Sequence, residues 1–293
     1  MAQLLTSDSA PAAVAEPTAT HEVRGGGGTR LHVREWGNPE ARPILFIHGW
    51  SQHHLCWTAQ IESPLADAYR LVALDLRGHG QSEAPLTSEH YTNGALWADD
   101  IKNIIDALRL NAPLLVGWSY GGFVIGDYLR KYGDASIGGV NFVGGAIGIG
   151  PKWFGTHIGP TFLDYAPLAC SDDQAVALKA VQDFLHAAVK KPIAPEAMEL
   201  AIGWTMLVHP QVRLGLISRE EDFTPELAKL KKPVLISQGT ADTVVLPMMA
   251  QAIKASAPHS ERSEYAGIGH APFFEEPERF NEELGAFAGR VFS

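Results

Sequence analysis

Short runs of apolar residues recur along the chain, separated by stretches in which apolar positions return every third or fourth residue. Leu31 to Trp36 alternates, the period of a half-buried strand, and follows the Gly25–Gly28 turn. Pro43 to Ile47 and Arg70 to Leu74 are short and nearly unbroken in their apolar character, as strands covered on both faces require. Between them, Trp57 to Ala66 predicts a helix. Asn93 to Leu110 carries Leu96, Ile101, Ile104, Ile105 and Leu108 at helical spacing. Leu114 to Trp118 predicts a strand that runs straight into a helix ending near Tyr132. Ile137–Val143, Pro233–Gln238 and Glu261–Tyr265 read as further strands, and Met248–Ser256 and Pro277–Phe292 as helices.

Strand and helix in alternation at short intervals predict a mostly parallel sheet with helices on both faces. Such sheets bind ligands outside the carboxyl ends of their strands. Those ends are His48-Gly49-Trp50, Asp75, Ser119, Gly144 and Gly239 to Asp242, where the chain also carries reactive or glycine-rich residues. Two separate readings thus point to one face.

The stretch 148–222 breaks the rhythm. It holds Pro151, Pro160, Pro167, Pro192, Pro195 and Pro210 and helix-like pieces such as Asp173 to Val189. It fits a helical cap inserted over the ligand face. Its aromatics, Trp153, Phe154, Phe162, Tyr165, Phe184 and Trp204, serve either the cap's own core or an apolar pocket roof. Trp153, Phe154 and Trp204, with Trp50 from below, are the expected substrate contacts. The division is then a disordered tail over 1–20, a core over 21–147 and 223–293, and the cap over 148–222.

Composition narrows the class. The chain has 293 residues, 46% hydrophobic and 19% charged, ordinary for a globular protein. A net charge of −10 argues against nucleic acid and anionic membranes as partners. No run of about 18 uncharged apolar residues is present, so no transmembrane helix is expected. Residues 1–20, rich in Ala, Pro, Ser and Thr, lack the basic start and apolar stretch of a secretory signal. Cys56 and Cys170 are too few for a disulfide framework and read as free thiols in a reducing, cytoplasmic setting.

The chemistry centres on Gly117-Trp118-Ser119-Tyr120-Gly121, where a strand meets a helix through a turn tight enough to need glycine. The serine is lifted above the sheet beside the unpaired N–H groups of a new helix. A hydroxyl needs a base to attack a carbonyl. His270, in the Gly269-His270-Ala271-Pro272 loop past the last strand, suits that task. The base needs an acid to fix its tautomer. Asp242 follows the Val234–Ile236 strand, whereas Phe142 to Gly148 offers no carboxylate. The neighbours His53 and His54 have no adjacent carboxylate or cysteine in sequence, so no metal is expected there.

In the order Ser119, Asp242, His270 the chain resembles the α/β-hydrolase superfamily along nearly its whole length after the tail. The matching pieces are His48-Gly49-Trp50, Asp75-Leu76-Arg77-Gly78-His79-Gly80-Gln81-Ser82, the serine motif, Gly239-Thr240-Ala241-Asp242 and Gly269-His270. The resemblance implies the α/β-hydrolase fold, an α/β class with a mostly parallel central sheet and an inserted helical cap. It implies an oxyanion hole from the Trp50 and Tyr120 backbone N–H groups, structural roles for His48, Asp75 and Arg77, and no cofactor. The expected activity is serine hydrolysis of an ester or related acyl bond, including lactone and carbon–carbon cleavage, in a partly hydrophobic small molecule. Cofactor-free haloperoxidases and perhydrolases share the histidine–glycine–aromatic motif, but many carry proline where this chain has Ser51. A non-catalytic small-ligand receptor on the same fold is the other alternative. Oligomeric state and substrate identity are not legible.

Overall fold

The computed structural model describes residues 15–293. Its centre is an eight-stranded sheet in the order β1 (Ala19–Arg24), β2 (Arg30–Trp36), β4 (Arg70–Leu74), β3 (Pro43–Ile47), β5 (Leu114–Trp118), β6 (Gly139–Val143), β9 (Val234–Gly239) and β10 (Glu261–Tyr265). β1 pairs antiparallel with β2, and β2 with β4; the remaining pairs are parallel. The unbroken apolar runs follow from this burial. In β5, Leu115 enters one core while Leu114, Val116 and Trp118 enter the other; in β3, Leu45 and Ile47 oppose Ile44 and Phe46. Helices α1 (Gly94–Ala107) and α2 (Tyr120–Tyr132) cover the first face. Trp57 and α8 (Pro277–Val291) cover the second.

The cap lies between β6 and β9. It opens on β7 (Gly148–Ile149) and closes on β8 (Glu221–Asp222), which pair antiparallel as a two-stranded stalk. That pairing joins the two ends of the insertion, Gly148 to Asp222 and Ile149 to Glu221. Between them run α3 (Pro160–Ala169), α4 (Gln174–Ala188), α5 (Pro195–Leu207) and α6 (Pro210–Ile217). Proline opens α3, α5 and α6, where its missing N–H costs no helix bond. Helix α7 (Pro247–Ser256) follows β9. The fully buried guanidinium of Arg213 ties the cap together by donating to the carbonyls of Ala169 and Thr205, at the ends of α3 and α5. Two helix C-termini supply the negative partial charge that this cation needs.

Two expectations are corrected. The tail does not extend to residue 20: Trp36 Nε1 donates to the Ala15 carbonyl at 2.8 Å, Thr18 N to Glu35 O, and β1 begins at Ala19. The part over 1–14 lies outside the described residues. The helix expected over Trp57 to Ala66 is two short turns, Thr58–Ile61 and Leu65–Ala68, because Pro64 has no N–H to continue the first. Among the described residues no helix is long and apolar enough to cross a membrane.

Candidate active site

Ser119 sits between β5 and α2 with φ 54° and ψ −116°, a conformation that a non-glycine residue holds at a cost of about 1–3 kcal/mol. The surroundings enforce it. A Cβ on Gly121 would lie 2.2 Å from the Ile47 carbonyl, and one on Gly117 2.6 Å from Ile125 Cδ1. Ser119 N donates to Val143 O, and Ser119 O accepts from the N–H groups of Gly122 and Ala146.

His270 follows β10, and its Nδ1 meets Asp242 Oδ2 at 2.8 Å with both side chains buried. The aspartate is held in turn. Its Oδ1 accepts from Val244 N and Val245 N at 2.8 and 3.0 Å, and its Oδ2 from Gln238 Nε2 at 3.2 Å. His270 is fixed through its backbone: its N–H donates to Ala188 O at the end of α4, and its carbonyl accepts from Trp118 Nε1. The end of β6, without a carboxylate, contributes space instead. A Cβ on Gly144 would stand 3.2 Å from His270 Nδ1 and 3.3 Å from Asp242 Oδ2. Ser119 and His270 line one pocket, although no hydrogen bond joins the two side chains among the described residues.

Trp50 lies in a four-residue turn closed by Gln52 N donating to Gly49 O at 3.2 Å. Ser51, third in that turn, has φ 56°, and its N–H donates to His79 Nε2 at 3.1 Å. With those donors engaged, the Trp50 N–H has no acceptor among the turn and loop bonds of the described residues. A Cβ on Gly49 would touch Ser119 Cβ at 3.0 Å, so this turn lies directly against the one that carries Ser119. Tyr120 N–H opens α2, where the preceding turn offers no carbonyl. The Tyr120 hydroxyl accepts from Arg219, which makes two hydrogen bonds to buried Asp127, and burial pushes the phenol up to about 12.

Four aromatic residues were expected around the pocket, and the structure divides them. Trp50 and Trp204 line it. Trp153 is buried but packs over the cap stalk, where a Cβ on Gly148 would overlap its indole. Phe154 is 39% exposed on the surface. Neither lines the pocket. Phe162 and Phe184 hang from the cap against the Trp50 ring, at centroid distances of 5.9 and 5.6 Å. The remaining wall includes residues that the sequence reading missed: Gln52, Cys56, Met198, Phe273 and Phe274. Phe273 and Phe274 stand within four residues of His270, a proximity that could have flagged them. The pocket has a volume of ≈ 70 Å³. Burial raises the Cys56 thiol well above its ordinary range.

The loop histidines are structural. His48 Nε2 accepts from Leu76 N, and its Nδ1 contacts Gly49 O. Burial lowers His48 and takes His79 down to about 4. Arg77 pairs with buried Asp100 through Nε and Nη2. One premise fails: His53 and His54 do have a carboxylate nearby, Asp75, contributed by another strand end. The three groups lie within 4.8 Å of one another. In this structure Asp75 is a hydrogen-bond hub, accepting from His54 N, His54 Nδ1 and Gln81 N.

The strand order, the turn at Ser119 and the inserted cap define the class, and the chain belongs to the alpha/beta hydrolase family, whose model matches residues 44–283. Among solved structures it is similar to an esterase from Rhodococcus sp. ECU1013, with a TM-score of 0.88 and 34% identity over 93% of this chain and 99% of that one. It is also 27% identical to a non-heme chloroperoxidase of Streptomyces lividans, over 89% of this chain and 96% of the relative. A bifunctional esterase/perhydrolase of Acinetobacter calcoaceticus matches at 27% over 89% and 96%.

Proposed function

We propose that this protein is a serine hydrolase of carboxylic esters carrying a small acyl group. The observation that carries the reading is the 2.8 Å contact between His270 Nδ1 and Asp242, which leaves Nε2 of the same ring to serve the pocket that Ser119 lines. Ser119 Oγ attacks the ester carbonyl as His270 Nε2 takes its proton. The oxyanion that forms accepts from the N–H groups of Trp50 and Tyr120, and Asp242 stabilises the imidazolium. The imidazolium protonates the departing alcohol. Water, activated by the same nitrogen, then frees the acid.

Pocket size supports the choice of substrate. A cavity of about 150 Å³ takes up benzene in a well-studied case, so ≈ 70 Å³ suits an acyl group of about two to four carbons. The similarity to an esterase at 34% identity supports the same class. Four sequence relatives carry haloperoxidase or perhydrolase names, which makes peracid formation the second reading. Proline cannot adopt φ 56°, nor donate to His79, so a proline at position 51 would need a different turn from this one. The unpaired cysteines fit a reducing compartment.

The test is turnover of p-nitrophenyl esters of increasing chain length. Acetate and butyrate should exceed octanoate, and Ser119→Ala should abolish turnover. A single slow turnover leaving a stable adduct would favour a receptor, and peracid formation outpacing hydrolysis would favour a perhydrolase.

A further inference from the structure

The turn bearing Trp50 is held from the cap at three successive points. Trp50 Nε1 donates to the Arg213 carbonyl of α6 at 3.3 Å. The Gln52 amide reaches α5, its Oε1 accepting from Trp204 Nε1 at 3.1 Å and its Nε2 donating to Thr205 Oγ1 at 3.2 Å. The His53 ring stacks on Trp204, with centroids 5.6 Å apart and planes 17° from parallel. The orientation of the amide is set chemically. An indole N–H only donates, so the Gln52 oxygen must face it. Thr205 spends its own proton on the Ala201 carbonyl at 2.6 Å and so accepts from the Gln52 nitrogen.

We infer that Gln52 is a positioning residue for the Trp50 N–H, and that the clasp of Gln52 with Trp204 and Thr205 makes a formed oxyanion hole depend on a seated α5. The inference rests on the reading of Trp50 as an oxyanion donor. Gln52 supplies the closing N–H of the turn that contains Trp50, so displacing Gln52 displaces that donor. The turn also contains Ser51 in a left-handed conformation, which tends to relax once its fastenings loosen. On the core side its fastening is the bond to His79; on the cap side it is this clasp. Gln52 is buried and lines the pocket, yet its amide is directed to the cap rather than left free for a substrate.

Two variants of the full chain test this. Gln52→Leu removes both hydrogen bonds at similar size. Trp204→Phe removes the indole N–H while keeping an aromatic ring over His53. A misplaced donor matters only where the oxyanion forms, so each variant should lower kcat on p-nitrophenyl butyrate about 10- to 100-fold, with KM within about threefold. Affinity for a trifluoromethyl ketone, which forms the tetrahedral adduct on the serine, should fall by the same factor. A rise in KM at unchanged kcat would overturn the inference and make Gln52 a substrate contact. Unchanged trifluoromethyl ketone affinity in a folded Trp204→Phe would overturn it as well, whether or not Gln52→Leu folds. Ser119→Ala on the same substrate separates the two readings. Retained turnover there sinks the serine mechanism itself, whereas loss of turnover with an unaffected Trp204→Phe removes only the clasp.

Discussion

Two non-glycine residues with positive φ, Ser119 and Ser51, stand at the centre of this site, and their strain has different uses. At Ser119 it directs a hydroxyl into the pocket. At Ser51 it shapes the turn that leaves the Trp50 N–H unpaired. The Ser51 hydroxyl is also buried without a partner among the described residues. Ser51→Gly relieves both the backbone strain and that orphan group, against a larger entropy loss on folding, so thermal melts should show a variant roughly 0–1 kcal/mol more stable. Ser51→Pro demands φ near −65° and removes the donor to His79; it should cost about 3 kcal/mol and most of the esterase kcat. At Asp242 the issue is charge and tautomer. The N–H groups of Val244 and Val245 should hold an asparagine oxygen in nearly the same place, and Gln238 keeps the carbonyls of Gly239 and Val245 as acceptors, so Asp242→Asn should stay folded while kcat falls by about three to four orders of magnitude. Near-full activity would direct attention to another acid.

At the scale of elements, the joint of β5 and α2 depends on backbones that nearly touch. Gly121→Val would drive a side chain into the Ile47 carbonyl, 2.2 Å from the Cβ position, and push helix and strand apart. Ester hydrolysis should be lost even where circular dichroism shows a folded protein, because Ser119 and Tyr120 would move together. β1 shows why one strand escaped the sequence reading. Its burial alternates and only Val23 is fully buried, so it becomes a strand by pairing with β2. In the cap, Trp153, Phe154, Phe162, Phe184 and Trp204 were comparable as sequence, and apolar spacing could not sort them. The stalk claims Trp153, solvent meets Phe154, and the other three face the pocket.

For the whole molecule, pH acts through histidines buried beneath the oxyanion turn and beside it. Stability follows the buried neutral histidines. His79 is held down to about 4, against 6.5 in the unfolded chain. Between those values the unfolded chain binds the extra proton, so stability is full above about pH 6.5 and falls as pH drops towards 4. The loss from His79 alone is on the order of 3 kcal/mol, and His53, also lowered to about 4 by burial, adds to it. A protonated His79 cannot accept from Ser51 N–H, so the oxyanion turn should loosen in the same range. Denaturant melts from pH 4 to 7 measure this, and His79→Gln should flatten the dependence.

The sequence by itself determined the strand–helix alternation and the order of Ser119, Asp242 and His270, because these depend on local periodicity and on residue types that few other arrangements use. Tertiary structure decided what depends on approach between distant segments. It set which cap aromatics face the cavity, that Asp75 serves His54, and that α5 reaches Gln52 beside Trp50. Spacing along a chain specifies the face of an element, whereas the partner that face meets is set by how the elements pack.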